Sequence, residues 1–296
     1  MDEQDQLAAR FEADRAHLRA VAYRMLGSVT EAEDAVQEAW FRLSRSDTSE
    51  VTNLTGWLTT VVSRVCLDAL RARRARPEQA LTERMPDPVV NRLDPDDQGD
   101  PAHEAVLADG VGLALLVVLD SLAPPERLAY VLHDMFGLPF DEIAPMVDRT
   151  PAATRQLASR ARRRIQGRPV APVGAISEQR AVVEAFLAAS RDGDFDRLVA
   201  LLDPDVVLRA DRGAGALHVV EGSETVASEA LLFRRSAGPE VRAETALVNG
   251  AVGIVASRDG APLSVLSFLV VDGRIASIDI LAHRERLATL DLAGLA

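Results

Sequence analysis

The chain has 296 residues, 48% of them hydrophobic, and its 33 basic residues, all arginine, face 45 acids for a net charge of −12. That length allows two or three packed domains, and the negative balance excludes a protein held to nucleic acid by bulk charge, so any basic function must be local. One cysteine excludes an intramolecular disulfide and a cysteine-cluster zinc site, and the lack of any run of about 18 apolar residues or a signal-peptide pattern predicts a cytoplasmic protein with no membrane span.

Residues 1–80 are helical in pattern. Within Thr30–Leu43, Thr30-x-x-Glu33 has the form of a capping box and predicts the helix start. Val36, Ala39 and Leu43 are expected to face inward, leaving Asp34, Gln37, Glu38 and Phe41 on or near the opposite side. A polar stripe interrupted by an aromatic has the chemistry of a protein-docking face, although an ordinary solvated helix has the same pattern. Thr55–Arg76 predicts a long helix with Leu58, Val61, Val62, Val65, Ala69 and Leu70 inward. Trp57, Thr60, Ser63, Arg64 and Arg71 are expected outside, and Arg71, Arg73, Arg74 and Arg76 form a basic cluster. An aromatic ring beside hydroxyls and arginines suits single-stranded DNA, whose bases stack and whose phosphates need cations; core packing is the alternative for Trp57. Cys66 lies in an apolar run and is expected to be an inert core residue.

Residues 81–108 predict a linker rich in proline and aspartate. From Leu93 to Glu126 there are eight acids and no arginine. Residues 109–168 return to helix. Pro125–Phe136 is expected to turn Leu128, Val131, Leu132 and Met135 inward. Phe140–Val147 predicts a short helix that Pro145 should kink or shorten, because proline removes an internal hydrogen bond. A turn at Asp148–Thr150 leads into a helix from Pro151 to Ile165, with Thr150 as N-cap and proline in the first turn. This is a helix-turn-helix pattern. On the second helix Leu157, Ala161 and Ile165 form an apolar stripe. Gln156, Ser159 and Arg163 lie roughly opposite, flanked by Arg155, Arg160 and Arg162. Between Asp148 and Glu178 there are seven arginines and no acid, so this helix can dock on a core and meet phosphates at once.

Residues 169–176 form a second linker, and the texture then changes. Helices at Glu178–Asp192 and Phe195–Leu202 precede alternating segments at Val206–Ala210, Leu217–Val220, Val241–Val248, Val252–Arg258, Leu263–Val271 and Arg274–Leu281. Asp272-Gly273 is a strong hairpin signal. Helices followed by a largely antiparallel sheet predict an α+β domain over 177–296. Asp211, His218, Asp279 and His283 are candidates for a general base if the domain is an enzyme. A helix-turn-helix repressor with a ligand domain is a further reading, but it leaves the Asp34–Arg42 face without a task.

Residues 1–168, taken together, resemble an RNA polymerase sigma factor of the extracytoplasmic-function (ECF) group. Glu33-Asp34-Ala35-Val36-Gln37-Glu38 is similar to the family's "EDAVQE" signature in region 2.2, which grips the clamp helices of the polymerase β′ subunit. Trp57-Leu58 through Asp68-Ala69-Leu70-Arg71 resembles regions 2.3 and 2.4, which melt and read the −10 element. Residues 140–165 resemble region 4.2, which reads −35. The likeness implies Asp34, Gln37, Glu38 and Phe41 for core polymerase, and Trp57, Thr60, Ser63, Arg64, Arg71 and Arg74 for −10 DNA. It implies Arg155, Gln156, Ser159, Arg160 and Arg163 for −35 DNA, with the β flap as a further polymerase contact.

The remainder resembles a SnoaL-like domain of the cone-shaped NTF2 type. The expected architecture is therefore multidomain: two all-α sigma domains, the second with a helix-turn-helix, followed by an α+β NTF2/SnoaL-like domain. The pairing resembles the subgroup of the sigma factor J type, in which the extra domain regulates in cis. Arg84-Met85-Pro86-Asp87-Pro88 stands where a WLPEP-like linker motif is expected. Asp211-Arg212-Gly213-Ala214-Gly215 is similar to a DGGG-like loop, and Val248-Asn249-Gly250-Ala251-Val252-Gly253 to an NGAxG motif. The tail Ala282–Leu287 departs from an NPDKL-like ending. The resemblance makes Pro86, Asp87, Pro88, Asp211, Gly213, Asn249, Gly250 and Gly253 candidates for regulatory contacts. It places Asp94, Asp96, Asp97, Asp100 and Glu104 in the cationic RNA channel of the polymerase, by charge complementarity. No metal and no cofactor are assigned, no enzyme activity is expected, and a small ligand for the C-terminal domain is left open.

Overall fold

The computed structural model describes residues 3–46, 51–75, 84–93, 112–166, 175–213, 216–292 and 295. They divide into two compact units. The first joins 1–80 to 118–167, and the second joins 81–117 to 168–296. The described part of the expected linker, residues 84–93, thus belongs to the C-terminal unit. The acids from Asp94 to Glu104 lie outside the described residues.

The first unit is all helical. Helix α1 (Glu3–Leu26) packs with α2 (Val29–Leu43) and α3 (Leu54–Arg74). The cap of α2 is Ser28 rather than Thr30: its hydroxyl accepts from the Glu31 N–H at 3.5 Å, and the helix begins one residue later. Glu33 instead reaches α1, where it meets Arg15 and Arg19. In α3 the apolar stripe is rotated from the expected one. Thr59, Ser63, Cys66 and Leu67 are buried beside Leu58 and Val62, whereas Ala69 is exposed. Each side chain of the size of Leu58 that is removed from water contributes about 1.5–3 kcal/mol.

After α4 (Leu113–Asp120), α5 (Pro124–Tyr130) runs on through a π turn at Val131–Met135. Leu128, Val131 and Leu132 are buried, and Met135 is half-buried. Helix α6 (Phe140–Ile143) gives way at Pro145 to a 3₁₀ turn, Ala144–Met146, as a missing N–H requires. Asp148, at φ +55°, makes the turn into α7 (Pro151–Ile165). The Thr150 hydroxyl accepts from the Ala153 N–H at 3.3 Å. Thr154, Ala158, Ala161 and Ile165 face the core, and Leu157 is only half-buried.

The two halves of this unit are packed on each other. Arg127 of α5 is fully buried; its Nε donates to the Arg24 carbonyl at 3.2 Å and its Nη1 meets Asp120 at 2.8 Å. Phe136 lies edge-on to His17 at 5.3 Å and beneath the Arg24 guanidinium at 4.7 Å. Arg74 donates to the Leu122 carbonyl at 2.8 Å.

The second unit is α+β. Its sheet has seven strands among the described residues, in the order β1-β4-β5-β6-β7-β2-β3. They are β1 (Val90–Arg92), β2 (Leu202–Asp211), β3 (His218–Glu221), β4 (Arg242–Val248), β5 (Ala251–Arg258), β6 (Ala261–Val271) and β7 (Arg274–Leu281). All neighbours are antiparallel except β2 and β7. Register shifts at Ala256/Ser257 and Leu269/Val270 bend the sheet, as β-bulges do. Helices α8 (Ile176–Asp192), α9 (Phe195–Leu201) and α10 (Ser223–Ala237) bury apolar residues against strand residues such as Ile254 and Phe268. Phe186 and Phe268 meet edge-on at 5.5 Å. A short α11 (Arg284–Leu287) follows β7.

Helix α11 was not expected from the sequence, and neither were α10 and β1. The periodicity of α10 is blurred by Leu232 and Phe233, which are 59% and 51% exposed beside the buried Val226 and Ala227. Strand β1 comes from the linker and pairs with the edge of β4, Val90 opposite Val248 and Arg92 opposite Ala246. Three residues carry no strand signal of their own; the unpaired edge of β4 supplies it.

Candidate functional site

On α2, Asp34, Gln37, Glu38 and Phe41 share one exposed face. Phe41 is 45% exposed, a large ring left in water, and Glu38 is held by Arg42 one turn on at 2.8 Å. The opposite face, with Ala32, Ala35, Val36, Ala39 and Leu43, is buried, so the polar face is forced outward by the same periodicity.

On α3, Arg64, Arg71 and Arg74 are exposed, while Trp57 and Thr60 are half-buried. The Thr60 hydroxyl donates back to the Gly56 carbonyl at 2.9 Å. Ser63 does not belong to this face: it is fully buried and its Oγ points into the helix packing. Its position lies on the inward stripe once that stripe is rotated, so it cannot touch DNA in this structure. Cys66 is buried as expected, and burial pushes its thiol up to about 12.

On α7, Arg155, Gln156, Ser159, Arg160 and Arg163 are all exposed along one side. Their charges are unequally committed. Arg155 stacks over Phe140 at 5.3 Å. Arg160 lies 3.7 Å from Glu126, and the neighbouring Arg162 and Arg164 are paired with Asp134 and Glu126. Arg163 has no partner among the described residues, which leaves it the freest cation of the helix.

In the C-terminal unit two of the remaining candidates, Asp87 and Asp211, meet around one side chain that sequence reasoning missed. Arg286, in α11, is 7% exposed, and lies between Asp87 and Asp211, 6% and 8% exposed. Its Nε donates to Asp87 Oδ1 at 2.9 Å, its Nη1 to Asp211 Oδ2 at 2.6 Å and its Nη2 to the Met85 carbonyl at 2.6 Å. The Met85 N–H donates to Asp211 at 3.3 Å. One guanidinium thus closes a buried network with carboxylates 124 residues apart in sequence. Further along, the Val89 N–H donates to Asn249 Oδ1 at 3.1 Å, and the Asn249 N–H donates to the Val89 carbonyl at 2.8 Å.

The glycines of these loops have steric reasons. Asn249 and Gly250, at φ +52° and +77°, form the tight turn between β4 and β5. A Cβ on Gly253 would stand 2.5 Å from the Leu266 carbonyl, and one on Gly213 2.4 Å from the His283 ring. The signal for Arg286 was in the tail: Arg286-Leu287 is a basic residue followed by leucine, as in the NPDKL-like ending, although the residues before it differ.

The four candidate bases do not converge. Asp211 is held by Arg286, and His218 faces Glu229 at 3.5 Å. His283 packs against Gly213, and Asp279 is bonded to Arg209 at 3.0 Å. Burial raises the Asp279 carboxyl and Arg209 opposes that shift. None of the four lines the cavity on the concave face of the sheet. Among the described residues no group of histidine, cysteine and acids is placed to hold a metal ion, and no helix is long and apolar enough to cross a membrane.

Residues 11–76 match Sigma-70 region 2, and residues 112–165 match Sigma-70, region 4. Over 94% of its length the chain is 38% identical to the ECF RNA polymerase sigma factor SigJ of Mycobacterium tuberculosis, covering 92% of that protein. The chain belongs to the ECF RNA polymerase sigma factors. It is also 36% identical to the probable ECF RNA polymerase sigma factor SigI of the same species, over 98% of each chain. The crystal structure of M. tuberculosis SigJ superimposes with a TM-score of 0.76 at 36% identity, over 96% of this chain and 99% of that one. The match extends through the C-terminal domain, so the α+β unit is part of the same architecture. The sigma factor binds core RNA polymerase and promoter DNA and directs transcription initiation. Region 2 contains the α2 and α3 faces, and region 4 contains the helix-turn-helix.

Proposed function

We propose that this sigma factor is held in a closed state by its own linker and C-terminal domain, and that it acts in the cytoplasm as a cis-regulated initiation factor without catalytic activity. The α2 face of Asp34, Gln37, Glu38 and Phe41 docks on the β′ clamp helices, and region 4 meets the β flap. Trp57, Thr60, Arg64, Arg71 and Arg74 read the −10 element. Arg155, Gln156, Ser159, Arg160 and Arg163 read −35, where arginine can pair with guanine and glutamine with adenine.

The carrying observation is the Arg286 network with Asp87, Asp211 and the Met85 carbonyl. A buried ion network fixes one arrangement of the groups it joins, and here those groups are the linker and the C-terminal domain. The packing within the first unit supports the same reading. The −10 and −35 elements lie ~25 base pairs, or ~85 Å, apart at ~3.4 Å per pair. A compact unit of ~130 residues has a radius of gyration of only ~14 Å. Reading both elements therefore requires α1–α3 to part from α5–α7, and a linker tied to a domain limits how far they can part.

Run-off transcription with core polymerase tests this, comparing the full chain, Arg286→Ala and a chain ending at residue 176. Both changes should alter promoter-dependent transcription while core binding persists. Equal activity of all three across salt and protein concentration would reject the cis-regulatory reading.

A further inference from the structure

The C-terminal domain encloses a cavity of about 250 Å³ between the concave face of its sheet and helices α8 and α10. That is about eight times the share of volume a water molecule takes in the liquid. The strand register explains the space. Ala243 pairs with Ala256, and Ala256 with Ser264, so one rung of the sheet carries only small side chains. The next rung, Ile254 with Leu266 and Leu266 with Ile280, is large. The Phe186–Phe268 pair is part of the packed core beyond it.

Two features of the wall are not those of a passive void. Ser264 is 1% exposed, lines the cavity, and its Oγ has no hydrogen-bond partner among the described residues. A buried hydroxyl left unpaired in an apolar wall is a standing cost that a ligand oxygen would relieve. The second feature is charge. Arg191, Arg212 and Arg234 line the opening, and none has a carboxylate partner among the described residues. Arg191 and Arg234 donate to the Leu187 and Gly238 carbonyls, and Arg212 to no group among the described residues. The one acid on the lining, Glu229, faces His218. Some arginines of this unit meet acids, as Arg180, Arg209 and Arg286 do, and others meet carbonyls, as Arg258 does. Three uncompensated guanidiniums in a chain of net charge −12 are a local inversion. Phe233, 51% exposed, stands on the same lining and offers a ring for a ligand to cover.

We propose that this cavity binds a small apolar carboxylic acid bearing a second oxygen function. The carboxylate sits among Arg191, Arg212 and Arg234, the ring or chain fills the space beside Ala243 and Ala256, and the second oxygen bonds to Ser264. The site stands independently of the cis-regulatory reading, because its test reads binding alone.

Fluorescence titration of the full chain uses three probes: 6-hydroxy-2-naphthoate, 2-naphthoate and 2-naphthol. Saturable binding at one site per chain is expected for both acids, with the hydroxylated acid tighter by about fivefold, the effect of one hydrogen bond to a buried hydroxyl. Ser264→Ala should erase that difference. Arg212→Gln with Arg234→Gln should weaken both acids by about fivefold and leave 2-naphthol unchanged, exposed charge pairs being modest. Ala256→Leu fills the small rung and should abolish binding; Ala243→Leu does the same at an exposed position that tolerates the change. Circular dichroism confirms that each variant is folded. The proposal is overturned if no probe saturates, if 2-naphthol binds as tightly as the acids, or if both folded leucine variants bind as the unaltered chain does.

Discussion

Replacing Arg286 with alanine isolates what holds the linker to the C-terminal domain. The change leaves Asp87 and Asp211 buried, both of which bond to the one guanidinium, and frees the Met85 carbonyl. Removing one partner of a buried ion pair costs about 3–5 kcal/mol, because the remaining charge is stranded in a poor solvent. Spent on docking of the linker, that is a shift of roughly two to three and a half decades toward the undocked state, at about 1.4 kcal/mol per tenfold. Protection of the amides between Met85 and Arg92 should fall by that factor in hydrogen exchange. The amides of β5 and β6, which form the middle of the sheet, should change far less. Asp87→Asn in the Arg286→Ala background should recover part of the loss, since it removes a buried charge that the guanidinium no longer offsets. Amides of the linker that keep their protection in folded Arg286→Ala protein would refute the argument, and would leave the β1–β4 pairing as the sufficient tether.

Changing Asp34 and Glu38 together to arginine reverses the charge of the exposed α2 face without touching its buried one. Pull-down of core polymerase should be lost with an unchanged circular-dichroism spectrum, and normal pull-down would remove the docking assignment. Arg163→Ala should cost about 1–3 kcal/mol on −35 DNA and relax one base position if it reads a base; a uniform loss over all sequences would make it a phosphate contact. Asp120→Ala leaves Arg127 fully buried without its acid and should destabilise the first unit by about 1–3 kcal/mol, discounted because Asp120 itself is partly exposed. Arg127→Met should be neutral or stabilising in thermal melting, and a large loss there would show that the charge is structural. Cys66 should resist alkylation at pH 8 in the folded chain and react in denaturant. Its thiol is pushed from 9.0 to about 12 by burial, so ionisation favours the unfolded chain and stability should fall as pH rises above 9. Rapid labelling of folded protein would contradict its burial.

How much was legible in the amino-acid order differs from element to element. The outward set on α7 was legible because a cap, a first-turn proline and one apolar stripe act within fifteen residues. The α2 face was legible for the same reason, although its cap was displaced by two residues, since Ser28 and Thr30 have the same local chemistry. Ser63 was misplaced because a hydroxyl on a helix can return its hydrogen bond to the backbone or stay buried, and periodicity alone cannot tell which side of a rotated stripe it joins. Helix α10 was missed because its outward face carries the exposed Leu232 and Phe233, and Phe233 lines a cavity rather than a core.

Local chemistry in the sequence determined the helices of the sigma regions, the hairpin turns at Asn249-Gly250 and Asp272-Gly273, and the sign of charge on each face. These depend on interactions within one or two turns of chain, whose strength does not depend on what packs elsewhere. Only the tertiary structure decided that the linker becomes the edge strand of a distant sheet, that Arg286 joins Asp87 to Asp211, and that a rung of small residues leaves a cavity. Each of these needs partners more than a hundred residues apart or on neighbouring strands. Their pairing is set by which edge is free, which charge is desolvated and how the strands register, none of which is written within a single segment.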